Sequence, residues 1–110
     1  MKAQYVYMLR NENGRYYVGV SNDVRRRMAE HNAGLSKATM PFRPFRLVRV
    51  EKFVSIKEAY AREHFLKSKK SRRILNLIVA SSPDVLAEQE AGIPILRSKH
   101  LDSVGRVPKP

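Results

Sequence analysis

Cysteine is absent from the 110 residues, and acidic residues and long apolar runs are scarce. Without cysteine the chain forms no disulfide and offers no thiolate to a metal, so any bound metal must be held by oxygen or imidazole. No apolar run approaches the ~20 residues of a membrane span. The N-terminus lacks the apolar stretch of a secretory signal. We therefore expect a cytoplasmic protein without a membrane partner.

Basic residues are abundant where acidic ones are few. Lys and Arg number 22 against 10 Asp and Glu, which gives a formal net charge of +12. Such an excess favours a polyanionic partner, because neutralised phosphates release counterions. DNA is the partner we expect, with RNA as the alternative. A ribosome-associated or simply soluble basic protein would have the same composition, and charge does not separate a binding module from an enzyme.

Hydrophobic patterning predicts a small α+β domain. Strands are expected over residues 3–10, 16–20 and 45–54, because apolar and β-branched side chains recur there between turn signals. Helices are expected over residues 21–32, from Ser55 onward and from Ser71 onward, each preceded by capping residues. The order β-β-α-β-α-α predicts a three-stranded, largely antiparallel sheet flanked by helices.

The chain is long enough for one compact domain. We assign residues 1–82 to it, and residues 83–92 to a short C-terminal helix that Ser82 and Pro83 would cap and Gly92 would end. Residues 93–110 contain four prolines or glycines and no clear periodicity. They are expected to form a flexible tail.

The turn between the first two strands decides whether two tyrosines share a face. A two-residue turn at Asn13-Gly14 would place Tyr7 and Tyr17 on opposite faces of the hairpin. A three-residue loop with Gly14 left-handed pairs Asn11 with Arg15 and brings both phenols to one face. We predict the three-residue loop, because a shared site requires it.

Two charged residues occupy positions where helical periodicity expects apolar ones. Arg27 lies in the inward stripe of the first helix with His31, and Glu63 interrupts the stripe of the second helix. A charge on a core-facing position is costly unless it is paired or binds a metal. One interpretation is a buried Arg27–Glu63 salt bridge, and another is that each side chain reaches outward to solvent.

The third interpretation joins Arg27, His31 and Glu63 with Tyr7 and Tyr17. Tyrosines in a hairpin commonly serve only cross-strand packing. Together, however, the five supply an acceptor for a water proton, a guanidinium for a phosphate and a carboxylate for a metal. That combination suits hydrolysis of a phosphodiester.

Four segments resemble the GIY-YIG nucleases in order and spacing. They are Tyr5-Val6-Tyr7, Tyr17-Val18-Gly19, the stretch SNDVRRRMAEHN at residues 21–32 and the stretch EAYAREHFLK at residues 58–67. The resemblance covers about residues 3–80 and is greatest to the small stand-alone bacterial members. The GIY-YIG nucleases also include the cutting domain of the excision-repair nuclease C subunit. Two positions depart from the pattern, because Tyr5 replaces a glycine and Val20 stands where some members carry a basic residue.

The resemblance implies a metal-dependent endonuclease acting on DNA in repair or processing. It implies that Tyr7 and Tyr17 belong to a catalytic hairpin, that Arg27 contacts the scissile phosphate, that His31 assists or relays a proton, and that Glu63 holds Mg²⁺ or Mn²⁺. Asn76 is the candidate for the asparagine that follows the glutamate in this family. No small-molecule cofactor is implied. Cutting is expected to be structure-selective rather than sequence-selective.

Further basic side chains are candidates for contacts with DNA, with a solvated basic face as the equal alternative. These candidates are Arg25, Arg26, Lys67, Lys69, Lys70, Arg72 and Arg73. Two rival functions remain at this point. The chain could be a basic DNA- or RNA-binding module that keeps the fold without cutting, or an accessory subunit that needs a protein partner for activity.

Overall fold

The computed structural model describes residues 3–95. Its elements, in chain order, are β1 (Gln4–Asn11), β2 (Tyr16–Ser21), α1 (Val24–Asn32), a 3₁₀ turn (Met40–Phe42), β3 (Phe45–Phe53), α2 (Ile56–Lys67), α3 (Arg72–Ala80) and α4 (Val85–Ala91). The three strands form one antiparallel sheet in the order β2-β1-β3. This confirms the predicted α+β class and element order.

Each helix begins at a residue whose side chain accepts a backbone N–H of the first turn. Ser55 and Ser71 cap α2 and α3 as predicted. The start of α4 differs from the prediction, because its N-cap is Asp84 rather than Ser82. One Asp84 carboxylate oxygen accepts from Ala87 N and the other accepts from Lys52 N of β3. A carboxylate can serve both donors at once, so Asp84 starts the helix and ties it to the sheet edge.

The β1–β2 hairpin has the predicted three-residue loop. Asn11 N donates to Arg15 O at 3.0 Å, and Gly14 has a positive φ of 82°. The Asn11 side-chain oxygen accepts the backbone N–H groups of Asn13 and Arg15, which stabilises the turn. In the resulting register Leu9 lies opposite Tyr17 and Tyr7 lies opposite Gly19.

The sheet is buried on both faces, so the core has two parts. We call one the α1 face: Tyr7, Leu9 and Val50 of the sheet pack there against Val24 and Met28 of α1, and against α4. We call the other the α2 face, with the following residues under α2 and α3: Val6, Met8, Val18, Val48, Ala59, Leu66, Leu75 and Val79. Alternation along β1 puts successive side chains on opposite faces.

The C-terminal part of the described chain continues to pack beyond α4. Ile93 and Ile95 contact the α1-face cluster and are partly buried. The packed domain therefore extends at least to Ile95, past the predicted start of the tail at residue 93, because two apolar side chains remain available to cover the core. The rest of the predicted tail, residues 96–110, lies outside the described residues. Within residues 3–95 no helix has the length and hydrophobicity to cross a membrane.

Candidate active site

A buried chain of hydrogen bonds runs through the α1 face. Tyr7 Oη lies 2.9 Å from His31 Nε2, and His31 Nδ1 lies 2.8 Å from Thr39 Oγ1. The Thr39 hydroxyl in turn lies 3.4 Å from Ser36 O. The exposed fractions of Tyr7, His31 and Thr39 are 1%, 0% and 1%. The hydroxyl, the imidazole and the second hydroxyl thus satisfy one another inside an apolar core.

The carbonyl at the end of this series of hydrogen bonds determines which atom donates at each step. Ser36 O can only accept, so we assign the Thr39 hydroxyl as its donor and as the acceptor of His31 Nδ1–H. His31 Nε2 then carries no proton and accepts the Tyr7 hydroxyl. Burial lowers the pKa of His31, and the positive charge of Arg27 lowers it further. Burial also raises the pKa of Tyr7, so both groups are neutral at neutral pH.

Gly19 provides the space for the Tyr7 ring. It is the cross-strand partner of Tyr7, and a Cβ at this position would lie 2.5 Å from Tyr7 Cζ. Real Cβ contacts are never that close, and the buried ring has no room to retreat. The glycine of the second motif is therefore explained by close approach of a ring, since its φ is not positive.

Tyr17 completes an aromatic group around the imidazole. Its ring centroid lies 4.9 Å from that of His31, edge-on, and 6.3 Å from that of Tyr7. Unlike Tyr7 and His31, it is only partly buried. Tyr17 is thus the phenol of this group that a molecule in solvent can reach.

Arg27 lies beside the two phenols and is paired with an acid of its own helix. Its Nη1 donates to Glu30 Oε1 at 2.8 Å, and its side chain is 31% exposed. The hydrogen bond to Glu30 raises the pKa of Arg27, and the negative charge that Tyr7 and Tyr17 carry when ionised adds to the rise. A guanidinium in this position stays charged and can contact an anion at the mouth of the site.

Glu63 forms an ion pair with Lys67, one turn along α2, at 3.1 Å. The alternative interpretation, an Arg27–Glu63 salt bridge, is not what the structure has, since each residue pairs with a partner on its own helix. The Glu63 side chain is 20% exposed, and its charge adds to the rise in the pKa of Tyr7. The carboxylate is therefore within electrostatic range of the buried chain.

A single carboxylate fits one class of divalent-metal site. Within residues 3–95 no three His, Cys, Asp or Glu side chains come together as a metal-binding group. Mg²⁺ commonly binds through one or two carboxylates and takes its remaining ligands from water and substrate phosphates. The partly exposed Glu63 suits that mode and would not suit an all-protein cage.

The predicted DNA contacts separate into two groups. Arg25 and Arg26 lie on α1, where Arg25 donates to Gly92 O at 2.7 Å and Arg26 pairs with Glu30 at 3.3 Å. The other candidates lie from the end of α2 through α3. Their observed contacts are Lys67 with Glu63, Lys69 with the Phe65 ring, Arg72 with Asn13 O and Asn76 with the Tyr16 hydroxyl, while Lys70 and Arg73 are exposed.

Two features escaped the sequence analysis. Thr39 lies in a segment with no periodicity, so nothing in the sequence connects it to His31. Glu51 is 9% exposed and accepts from Arg49 and Arg62, yet it looked like an ordinary residue near the end of a strand. The pairing of Glu51 with Arg62 of α2 has no local sequence signal, because it depends on how α2 packs on β3.

Comparisons with known proteins identify the family of the chain. Residues 3–76 match the family model of the GIY-YIG catalytic domain. A UPF0213 protein of Streptococcus pneumoniae is 42% identical over 67 residues, which is 60% of this chain and 68% of the relative. A UPF0213 protein of Halobacterium salinarum is 44% identical over 64 residues, covering 57% and 83%. The solution NMR structure of a UPF0213 protein from Bacillus halodurans is 36% identical, covers 69% and 82%, and superposes with a TM-score of 0.45.

Proposed function

Because the chain belongs to the GIY-YIG family of catalytic domains, we propose that it is a metal-dependent endonuclease that hydrolyses phosphodiester bonds in DNA. The observation that carries the proposal is the neutral Tyr7–His31–Thr39 chain next to the accessible Tyr17 and Arg27. It combines proton-handling groups and a phosphate-binding cation in one place, as general-base hydrolysis of a phosphodiester requires.

We assign the proton of the attacking water to Tyr17. Tyr7 and His31 are buried, whereas Tyr17 has exposed surface. A phenol accepts a proton only as the phenolate, so this assignment takes the ionised form of Tyr17 as the base, within electrostatic range of Arg27. His31, held in one tautomer by Thr39, keeps the Tyr7 hydroxyl bound and forms the edge-on contact that orients the Tyr17 ring.

Arg27 and Glu63 serve the phosphate side of the reaction. Arg27 neutralises the charge that develops on the phosphate as the water attacks in line. Glu63 would hold Mg²⁺ or Mn²⁺, which when bound supplies charge stabilisation for the phosphate and the leaving oxygen. Lys67 neutralises Glu63 in the unbound site, since the two are 3.1 Å apart. Asn76, which we propose as a DNA contact, accepts the Tyr16 hydroxyl through its side-chain oxygen.

We propose that DNA is recognised mainly through its charged backbone. DNA recognition is proposed to be electrostatic and selective for DNA structure rather than sequence, because +12 is spread over a chain of 110 residues. We also propose a role in DNA repair or processing and a cytoplasmic location. The competing functions are a non-cutting DNA- or RNA-binding module and an accessory subunit that needs a protein partner.

Glu63→Gln tests the proposal, with Glu58→Gln on the same helix as the matched control. Purified proteins are incubated with labelled nicked, flapped, branched and single-stranded DNA in Mg²⁺, Mn²⁺ or EDTA. Wild type and Glu58→Gln should cut in metal and stop in EDTA, while Glu63→Gln should lose at least about a hundredfold in rate. The Glu63–Lys67 pair is partly exposed, so its loss should cost only ~0.2–1 kcal/mol of stability.

Three results would reject the proposal. They are an absence of cutting by the wild type on every DNA in the panel, cutting that continues in EDTA, and a wild-type rate for a folded Glu63→Gln protein. The first would favour the binding module, and cutting that begins only on addition of a cell extract would favour the accessory subunit.

A further inference from the structure

Two arginines from separate elements converge at the tip of the β1–β2 hairpin. A Cβ placed on Gly14 would lie 3.4 Å from Arg72 Nη1 and 3.5 Å from Arg10 Nη2. The two nitrogens are therefore no farther apart than the sum of those distances. Arg10 comes from the end of β1 and Arg72 from the first turn of α3, so the fold brings together two cations that are far apart in the sequence.

Among residues 3–95, no acid pairs with these two cations. In the part of the chain that the structure describes, neither Arg10 nor Arg72 forms an ion pair. Arg46 adds a third positive charge, because it lies directly opposite Arg10 in the β1–β3 register. Like charges at opposed positions destabilise a sheet, and a bound anion relieves that repulsion.

The donors of the pair are largely uncommitted. Arg72 Nη1 donates to Asn13 O at 3.0 Å, which leaves its other N–H groups available. The Arg10 guanidinium lies 5.8 Å from the centre of the Tyr16 ring, and its Nε is buried with no hydrogen-bond partner among residues 3–95. A guanidinium has five donors in a rigid fork that matches the oxygens of a phosphate.

The surroundings hold the pair in place. The Tyr16 hydroxyl donates to Asn76 Oδ1, and this hydrogen bond joins β2 to α3. Arg72 fastens the same helix to the hairpin loop through Asn13. The two arginines thus stand on a rigid base, which lowers the entropy lost when they bind an anion.

We propose that Arg10 and Arg72 form a clamp for one backbone phosphate of DNA, separate from the catalytic centre. The hairpin connects the two places, since Gly14 lies five residues before Gly19 and a strand rises ~3.3 Å per residue. Gly14, at the clamp, therefore lies within about 17 Å of Gly19, the residue that packs against the Tyr7 ring. This inference rests on the proposed function only in taking DNA as the ligand.

Salt-dependent binding tests the clamp. Anisotropy of labelled duplex DNA is titrated in EDTA with wild type, Arg10→Gln, Arg72→Gln, the double variant and Lys57→Gln. Lys57 is exposed at the start of α2, at the opposite end of the sheet. Each phosphate contact contributes ~0.9 to the slope of log K against log salt concentration. The double variant should lower the magnitude of the slope by ~0.9, as for one shared phosphate, and Lys57→Gln should leave it unchanged.

The outcomes are separable from those of the cleavage assay. A shift of ~1.8 for the double variant would mean two independent contacts and overturn the clamp. So would an unchanged slope, a wild type that does not bind DNA, or a shift seen only with RNA. The lysine double variant, Arg10→Lys with Arg72→Lys, keeps both charges and should restore the slope. If the slopes behave as expected but no DNA is cut in metal, the clamp stands and the endonuclease proposal fails.

Discussion

The two faces of the sheet bury polar groups in opposite states. On the α1 face, Tyr7, His31 and Thr39 form a linear chain in which every member is neutral. On the α2 face, the Glu51 carboxylate lies between Arg49 and Arg62, with Nε–O distances of 2.6 and 2.8 Å. Both arrangements satisfy their hydrogen bonds, but only the second places full charges in the core.

The charged cluster is built to stay charged. Burial alone would raise the pKa of Glu51, but hydrogen bonds from Arg62 and Arg49 outweigh it and hold the pKa below its usual value. Arg62 donates through both Nε and Nη2, and Arg49 also reaches Ser81 O and Ser82 O. The cluster thus joins β3, α2 and the α3–α4 connection.

The charge state of each buried group indicates whether it has a structural or a chemical role. A permanently ionised cluster has no protonation state to exchange near neutral pH, so it can fix elements but not move protons. The imidazole of His31 has a pKa lowered from a value already close to neutrality, and its Nε2 is an acceptor. Burial is therefore a poor guide to function here, whereas the charge state of the buried group is informative.

Glu51→Gln should disrupt the charged cluster on the α2 face and cause the largest loss of stability among these variants. It leaves Arg49 and Arg62 without their anion, and loss of one partner of a buried pair costs ~3–5 kcal/mol. We expect ~3 kcal/mol, at the low end of that range, because the Arg62 side chain is 29% exposed. Urea unfolding at pH 7 measures it, with the exposed hairpin acid Glu12→Gln as control.

The same variant has a signature in acid. A carboxylate whose folded pKa is lowered contributes stability that is complete above its unfolded pKa of ~4.3 and is lost as pH falls through the folded value. Wild type and Glu12→Gln should therefore lose stability below about pH 4, and Glu51→Gln should lose less. An unchanged unfolding free energy at pH 7 would show that the cluster is not structural.

Local rules predicted what local rules control. The caps at Ser55 and Ser71 depend on a few adjacent residues, and the structure has them as predicted. The loop at Gly14 is also present as predicted, but that prediction came from requiring the two tyrosines to share a face. The inward position of His31 followed from helical spacing, and it is buried. Periodicity also singled out Arg27 and Glu63, but their partners depend on how the helices are placed.

The missed contacts depend on how separate segments pack against one another. Thr39 meets His31 through a turn without a repeating pattern, and Glu51 meets Arg62 only because α2 packs across β3. The converging arginines Arg10 and Arg72 likewise come together only because the hairpin tip lies against α3. Such pairings require the three-dimensional arrangement, which a single sequence does not specify residue by residue.

Gly19→Ala should disrupt the α1 face and leave the α2 face intact. The added methyl group would lie 2.5 Å from Tyr7 Cζ, so the ring must move and lose its hydrogen bond to His31. Overpacking of this kind costs ~1–3 kcal/mol. The cleavage rate should fall by more than the fraction of protein that is unfolded at the assay temperature accounts for. Val20→Ala, on the α2 side of the same strand, should lose stability without that extra loss of rate. Equal rates for the two variants at matched stability would contradict the close-approach argument.

Thr39→Val should have the smallest effect and give the sharpest view of the neutral chain. Valine keeps the shape of threonine but removes the hydroxyl that accepts from His31 Nδ1–H, and an unsatisfied buried group costs ~1–3 kcal/mol. Thr39 is a positioning residue, since it acts on the reaction only through the imidazole. We expect ~1 kcal/mol of destabilisation, because the proton of the His31 ring can move to Nε2 and the ring keeps one hydrogen bond. The cleavage rate should be lower by about tenfold.

Nitrogen NMR of the His31 ring distinguishes this role from a packing role. In the wild type the proton should lie on Nδ1, and in Thr39→Val it should move to Nε2, which would then donate to Tyr7 Oη instead of accepting from it. Thr39→Ser restores the hydroxyl and should recover both the tautomer and the rate. A valine variant that keeps the Nδ1–H tautomer while losing activity would show that Thr39 acts by packing alone. In that case the order of donors and acceptors from Tyr7 through His31 to Thr39 would not be what makes this buried group functional.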